Sequence, residues 1–148
     1  YVESVHVPLI VRIPGFEPQR ISNRVALTDL VPTLLEAMSL PLDRFGVDGQ
    51  SLFIPALAPE RAPPDRPIFC SLLQIMSGRK NFFTRSVRTD KHALVYETLS
   101  DHAELYDAVT DPRDSQDLAP SNPETVEELR ELLRGSATGN LWEARRFQ

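Results

Sequence analysis

The sequence predicts an α/β protein in which a strand and a helix of the α/β type precede a small four-stranded antiparallel sheet packed by one C-terminal helix. Residues 7–13 form an almost continuous apolar run, which is typical of a strand covered on both faces in a parallel sheet. After residue 66, short strand-like segments alternate with turns, which indicates an antiparallel meander. An amphipathic pattern between Asn122 and Gly135 completes the prediction with a helix.

The first part of the chain is expected to contain the strand and one helix. Pro14-Gly15 closes the strand, because this pair favours a turn. Thr28 and Asp29 offer a polar cap and an early acid for the helix, whose first turn tolerates Pro32. Apolar residues follow at helical spacing at positions 30, 34, 35 and 38. The helix is expected to end before Pro41, since the residue preceding a proline disfavours helical geometry.

The second part is expected to contain the sheet and its covering helix. The strands are predicted at residues 67–72, 82–88, 93–97 and 104–107, and the turn between the middle two lies at 89–92. Asn122, Pro123 and Glu124 give the helix a polar cap, a proline at its first position and an early acid. The apolar stripe consists of Val126, Leu129, Leu132 and Leu133.

A proline-rich, charged connector at residues 58–66 separates the two parts. The predicted domains are therefore residues 1–60, which hold the α/β-type strand and helix, and residues 61–148, the sheet-and-helix subdomain. The chain opens on Tyr1 without a methionine or a signal peptide, and a strand-like run follows at once. We therefore expect it to be a piece of a larger protein.

The composition excludes several classes of protein. The 148 residues carry a net charge of −5, which argues against nucleic-acid binding because such modules usually present a basic face. No apolar run approaches the roughly 18 residues of a membrane span. A single cysteine, Cys70, excludes an internal disulfide framework and a cysteine-based zinc site.

Charge is segregated in the second part of the chain. Residues 79–92 hold five Lys or Arg and one acid, whereas residues 97–117 hold seven acids and one Arg. One interpretation is that neighbouring antiparallel segments have complementary charge, and the other is a cationic loop that faces an anionic ligand. Arg85 and Arg88 could hold sulfate or phosphate through forked donors, or they could lie on a solvated or acid-paired strand face. His6 is a further candidate for substrate contact because it lies next to the predicted buried strand.

The residues contain no arrangement of nucleophile, base and orienting partner, nor a phosphate-binding glycine-rich loop. Asp107, Asp111, Asp114 and Asp117 raise the alternative of a calcium site, but their spacing lacks the glycine and terminal glutamate of a calcium loop. A turn at Asp111 is the preferred interpretation. The segment is therefore predicted not to be a complete catalyst.

Five segments, in this order and spacing, together resemble the C-terminal part of sulfatases of the alkaline phosphatase superfamily. Residues 1–15 are similar to a family segment that ends in Arg-Val-Pro-Leu-Ile-Val and Pro-Gly, with His6 where arginine is common. The other segments are similar to the family's Asp-Leu-x-Pro-Thr-Leu-Leu helix (27–35), its Asp-Gly-x-Ser-Leu turn (48–52), its Val-Arg-Thr hairpin (86–96) and its Glu-Leu-Tyr-Asp, Asp-Pro and Asn-Leu-Ala series (104–119).

The resemblance implies an alkaline-phosphatase-like fold, in which residues 1–60 are the C-terminal end of the catalytic α/β domain with its last strand and helix. It also implies a sulfate-ester hydrolase as the parent protein, with sulfated sugars as one substrate class. It implies calcium or magnesium and a formylglycine made from Cys or Ser in a Cys/Ser-x-Pro-x-Arg motif, all located upstream of this chain. Cys70 is not followed by that motif, so the nucleophile role is not transferred to it. No metal or cofactor is therefore expected in this segment, and the N-terminal catalytic part of the same protein is its expected partner.

On this basis we expect a fragment that is inactive alone and contributes substrate contacts from His6, Arg85, Arg88 and Lys91. Two alternatives remain: a phosphonate monoester or phosphodiester hydrolase of the same superfamily, and a non-catalytic accessory or interaction domain. Sulfatases are often secreted, periplasmic or lysosomal, and the compartment of this protein is left open.

Overall fold

The computed structural model describes residues 5–12, 14, 17–18, 20–44, 46, 49–53, 66–74 and 82–136. They belong to two compact units, one formed by Leu9–Arg66 and the other by Tyr1–Pro8 with Pro67–Gln148. We refer to these as the helix unit and the sheet unit. Most of the predicted connector, residues 58–65, lies outside the described residues, and the domain division at residue 60 stays a prediction.

The sheet unit contains the predicted antiparallel meander. Its strands are β1 (Ile68–Gln74), β2 (Phe82–Arg88), β3 (His92–Glu97) and β4 (His102–Asp107), paired in sequence order. Val87 of β2 lies opposite Leu94 of β3, which in turn lies opposite Leu105 of β4. This row of branched apolar residues belongs to one face of the sheet, because side chains alternate between the two faces along each strand.

A helix, here named α2 (Pro123–Gly135), packs on that face. The core consists of Val87, Leu94 and Leu105 from the sheet and Val126, Leu129 and Leu133 from α2. Burying such side chains stabilises the fold by about 1.5–3 kcal/mol each relative to leaving them exposed. The predicted arrangement of four strands and one helix is thus confirmed. The side chain of Asn122 donates to the carbonyl of Leu118 (2.9 Å) and makes no capping bond to α2.

The helix unit contains a second helix, α1 (Leu30–Ala37), which a single 3₁₀ turn (Leu27–Asp29) precedes. The helix therefore begins where the sequence predicts. It ends because Ser39 adopts a left-handed conformation (φ 56°) and the N–H of Leu40 turns back to the carbonyl of Leu35 (2.8 Å).

The structure differs from the prediction at the apolar run 7–13. Residues 6–12 have no regular secondary structure, and residue 13 lies outside the described part of the chain. Ile10 is 92% exposed, and Val7 and Val11 are each 55% exposed. A strand needs a neighbour to satisfy its backbone groups, and no described strand of this chain pairs with the segment. The apolar pattern is present, but the ladder that it predicts is not formed.

α2 is the longest described helix, with 13 residues. Among the described residues, no helix has both the length and the apolar character needed to cross a membrane.

Candidate functional site

Asp29 is the centre of a hydrogen-bond network in the helix unit. Its side chain is almost fully buried (1% exposed) at the start of α1. The carboxylate accepts the N–H of Ala26 at 2.8 Å and the N–H of Gln50 at 2.9 Å. The guanidinium of Arg66 also donates to Oδ1 of Asp29 and forms an ion pair with it. One carboxylate thus joins the helix start, a distant turn and the last residue of the unit.

Thr33 and Gly49 extend this network. The hydroxyl of Thr33 donates to the carbonyl of Asp29 and accepts the N–H of Leu52 at 2.9 Å. A Cβ atom on Gly49 would lie 2.1 Å from the carbonyl oxygen of Thr28, so only glycine fits there. The segments 27–35 and 49–52, which the sequence shows only as separate motifs, are therefore parts of one packed structure.

The turn between β2 and β3 and the strand ends beside it carry three basic side chains, Arg88, Lys91 and His92, and one acid, Asp90; we call this the cationic hairpin. Thr89 organises this turn: its N–H donates to the carbonyl of His92 (2.8 Å), and its hydroxyl accepts the N–H of His92 (3.0 Å). Lys91 is exposed at the tip, whereas His92 is half-buried at the start of β3. The predicted turn at residues 89–92 is confirmed, although its last residue already belongs to β3.

Arg88 forms an ion pair with Asp114, with 3.2 Å between Nη1 and Oδ1. The side chain of Asp114 is 3% exposed and that of Arg88 is 27% exposed. Asp114 adopts a left-handed conformation (φ 52°), which aspartate tolerates better than most residues. For Arg88, the acid-paired strand face is what the structure shows, and the basic and acidic segments of the chain meet at this pair.

Arg85 lies on the opposite face of β2 from Arg88. Its guanidinium is buried against the end of α2, where it donates to the carbonyl of Leu133 and to the hydroxyl of Ser136 (3.1 Å). Residues three apart in a strand point to opposite faces, so Arg85 and Arg88 do not form a two-arginine anion site. The hypothesis that the two arginines bind one anion is corrected accordingly. Arg85 instead satisfies a terminal carbonyl of α2, a group that lacks a partner within the helix.

The substrate roles predicted for His6, Arg85, Arg88 and Lys91 stay predictions. The structure places His6 in an exposed segment without regular secondary structure and Lys91 at an exposed turn. Arg85 and Arg88 are engaged as described above. Of the four residues, Arg88 and Lys91 share one hairpin, and Arg85 belongs to the other face of its strand.

Two of the aspartates considered as calcium ligands, Asp107 and Asp111, accept hydrogen bonds from groups within their own turns. Asp111 accepts the N–H and the hydroxyl of Ser115 (both 2.7 Å), and the hydroxyl contributes most to lowering the pKa of this carboxylate. Asp107 accepts the N–H groups of Val109 and Thr110 (both 2.8 Å), and the Thr110 bond is the main cause of its lowered pKa. No group of three or more His, Cys, Asp or Glu side chains within the described ranges could hold a metal ion. The divalent ion implied by the resemblance therefore does not fit these residues.

A cluster of Tyr96, Asp101 and Arg130 was not predicted from the sequence. The Tyr96 hydroxyl donates to Asp101 at 2.7 Å, and Arg130 of α2 donates to the same carboxylate at 2.8 Å. The Arg130 guanidinium also lies 4.6 Å from the centre of the Tyr96 ring, which is a cation–π distance. The hydroxyl of Tyr96 is the main cause of the lowered pKa of Asp101. This cluster fastens α2 to the β3–β4 turn.

Comparison with curated proteins finds sulfatases along nearly the whole chain. Arylsulfatase K of Gallus gallus is 33% identical over 144 residues, which are 90% of this chain and 26% of that protein. A sulfatase of Schizosaccharomyces pombe is 28% identical over 145 residues, which are 92% of this chain and 26% of that protein. No family model matches the chain. The chain thus spans about a quarter of the length of the curated relatives it matches.

Solved structures show a similar fold. A Bacteroides thetaiotaomicron protein described as a sulfatase and a 2-O GAG sulfatase each have a TM-score of 0.66 and 24% identity, and the match covers 81% of this chain and 26% of theirs. A protein solved in complex with its substrate D-glucosamine-2-N,6-O-disulfate has a TM-score of 0.60 and 21% identity over 72% of this chain and 22% of that one. At these identities the similarity is one of fold.

Proposed function

This chain is the C-terminal portion of a sulfatase of the alkaline phosphatase superfamily, and from that premise we propose that the whole protein hydrolyses sulfate esters. One observation carries the proposal: two motifs of the resemblance, at residues 27–35 and 48–52, are hydrogen-bonded to each other around Asp29. Motifs that matched by chance would not be expected to interlock in this way. The 33% identity to a curated arylsulfatase supports the same activity.

The proposed substrate class is sulfated carbohydrate. Two structural relatives support it by their own descriptions, one as a 2-O GAG sulfatase and one with a disulfated glucosamine as its substrate. The cationic hairpin offers charges suited to additional sulfate groups on such a sugar, because guanidinium and ammonium groups donate to anionic oxygens.

We assign different roles to the four predicted contact residues. Lys91, exposed at the tip of the hairpin, and His6, exposed in residues 5–12, contact the substrate in this proposal. Arg88 also contacts the substrate, and its ion pair with Asp114 holds the guanidinium in position. Arg85 acts as a positioning residue, since its guanidinium joins β2 to the end of α2.

The N-terminal catalytic part of the same protein is proposed to supply the metal-dependent chemistry. Sulfatase relatives imply a metal-dependent parent, and the described residues of this chain offer no cluster of three metal ligands. We propose that this chain contributes structural completion and substrate contact and is inactive alone.

Mass spectrometry of the purified full-length protein tests the proposed activity. A sulfatase should carry a formylglycine upstream of this chain, at a Cys or Ser in a Cys/Ser-x-Pro-x-Arg motif. An unmodified Thr or Ser nucleophile would contradict the proposal and favour a phosphonate monoester or phosphodiester hydrolase. The lack of any nucleophile upstream would instead favour a non-catalytic accessory domain.

A further inference from the structure

One face of α1 and its preceding turn carries an exposed apolar stripe. It consists of Leu27, Val31, Leu34 and Met38, which are 69%, 52%, 59% and 60% exposed. Their spacing of four, three and four residues places them on a single helix face. We call this set the α1 stripe.

The opposite side of α1 is already packed within the helix unit. Pro32, Thr33 and Leu35 are buried, and Thr33 also bonds to Leu52 and Asp29. Glu36 is the only charged residue of the helix. A helix with one charged residue and apolar side chains on two faces is normally covered on both faces, so the α1 stripe lacks the cover that its composition favours.

The same unit contains a second exposed apolar segment. Leu9, Ile10 and Val11 are 38%, 92% and 55% exposed, and they form part of the run that reads as a strand buried on both faces. The α1 stripe and residues 9–11 therefore both have the apolar composition of buried segments, although both are exposed in this chain.

We propose that the α1 stripe docks on the upstream part of the sulfatase fold, which the same polypeptide supplies in a protein of its relatives' length. The length of the relatives supports this occupant. The chain matches 26% of arylsulfatase K of Gallus gallus, and the Bacteroides thetaiotaomicron structure with a TM-score of 0.66 carries the matched region within a chain about four times as long. The proposal rests on the proposed function, because it takes the rest of a sulfatase as the partner. It adds which residues of this chain form the contact.

Cysteine labelling of the full-length protein tests the stripe directly. Leu34→Cys is compared with Leu99→Cys, a matched control, because Leu99 is 58% exposed at the β3–β4 turn. A maleimide reagent, with peptide mass mapping of the labelled site, should modify both cysteines at similar rates in the 148-residue chain. In the full-length protein, only Leu34→Cys should become many-fold slower. Equal labelling of the two sites in the full-length protein would overturn the proposal.

A second pair of variants detects the alternative occupant, a second copy of this chain. Leu34→Lys should lower the melting temperature of the full-length protein, whereas Leu99→Lys should not, and the molar mass in solution should be unchanged by both. A dimer that Leu34→Lys converts to a monomer would overturn the proposal in favour of self-association. Lysine is chosen because its helix propensity is close to that of leucine.

Failure of this proposal is distinguishable from failure of the proposed function. If maleimide labels Leu34→Cys slowly in a full-length protein without formylglycine, the docking surface is supported and the sulfatase activity is refuted. If the full-length protein carries formylglycine but maleimide still labels Leu34→Cys as fast as Leu99→Cys, the sulfatase activity is supported and the docking surface is refuted.

Discussion

Arg66 donates a hydrogen bond from its guanidinium to Oδ1 of Asp29, a carboxylate that is 1% exposed at the start of α1. This ion pair joins residues 37 positions apart in the sequence, and it connects the last residue of the helix unit to that unit's helix. A buried carboxylate is costly unless it is paired and hydrogen-bonded, and Asp29 has both an arginine and two backbone N–H donors. This one side chain therefore links the segment 27–35 to the turn at Gln50 and to Arg66.

Replacing Asp29 should strongly destabilise the helix unit. Asp29→Ala removes the partner of Arg66 and leaves the N–H groups of Ala26 and Gln50 without their acceptor. We expect a loss of about 2–4 kcal/mol in the free energy of unfolding, measured by urea denaturation followed by circular dichroism. The control Asp43→Ala changes an exposed acid of the same unit and should alter stability by less than about 0.5 kcal/mol. Equal effects of the two substitutions would refute the role assigned to Asp29.

Gly49 should tolerate no side chain. In Gly49→Ala, the new Cβ would lie 2.1 Å from the carbonyl oxygen of Thr28 and 2.7 Å from the N atom of Asp29, so the backbone of one segment must move. We expect destabilisation of roughly 2 kcal/mol or more, measured as a lower melting temperature. Gly135→Ala is the matched control, because its Cβ would meet nothing within 4 Å at the end of α2. A harmless Gly49→Ala would show that segments 27–35 and 49–52 are not packed as described.

Substitution of Arg85 distinguishes a structural role of this residue from direct substrate binding. Arg85→Met should cost about 1–2 kcal/mol of stability, because the carbonyl of Leu133 and the hydroxyl of Ser136 lose a buried donor. Arg85→Lys retains the charge and should recover part of that loss. The KM of the full-length enzyme should change little in either variant. A raised KM with unchanged stability would instead support direct substrate contact by Arg85.

The sequence predicts the sheet unit well because its information is local and periodic. Val87 lies between the polar residues Ser86 and Arg88 in β2, and the apolar segment 93–95 marks β3. The helix signals at Asn122–Glu124 and Gly135 bound α2 to within a residue. The almost continuous apolar run 7–13 also predicts a strand from local composition, but a strand requires a paired neighbour as well. Local composition indicates whether a segment favours a buried or an exposed environment. It does not indicate whether a neighbouring strand is present to pair with the segment.

The candidate site was predicted less well, because its contacts join residues far apart in the sequence. The acidic segment does supply the partner of Arg88, but no pattern identifies Asp114 among seven acids. The sequence does contain the information that places Arg85 and Arg88 on opposite faces, since their spacing of three within a strand is odd. The contact of Arg85 with the end of α2 depends on the packing of the helix, and no local pattern reports it.

Lys91 should affect substrate binding and leave stability unchanged. Lys91→Met removes an exposed charge at the tip of the cationic hairpin, so the free energy of unfolding should change by less than about 0.5 kcal/mol. With a sulfated disaccharide, the KM of the full-length enzyme should rise roughly two- to fivefold, as expected for the loss of one solvent-exposed ion pair. Arg113→Met, which removes an exposed charge from a turn outside the hairpin, should leave KM unaltered. If the two variants have the same KM as the wild type, Lys91 does not contact the substrate.

The most direct test of the sulfatase assignment is a sulfate-release assay performed in parallel on the full-length protein and on the 148-residue chain. With 4-nitrophenyl sulfate and a divalent metal ion, the full-length protein should release sulfate, and chelation of the metal should abolish the reaction. The 148-residue chain should show no turnover above the rate in buffer. Metal-dependent sulfate release by the chain alone, or a full-length protein that cleaves phosphodiesters but not sulfate esters, would contradict the account.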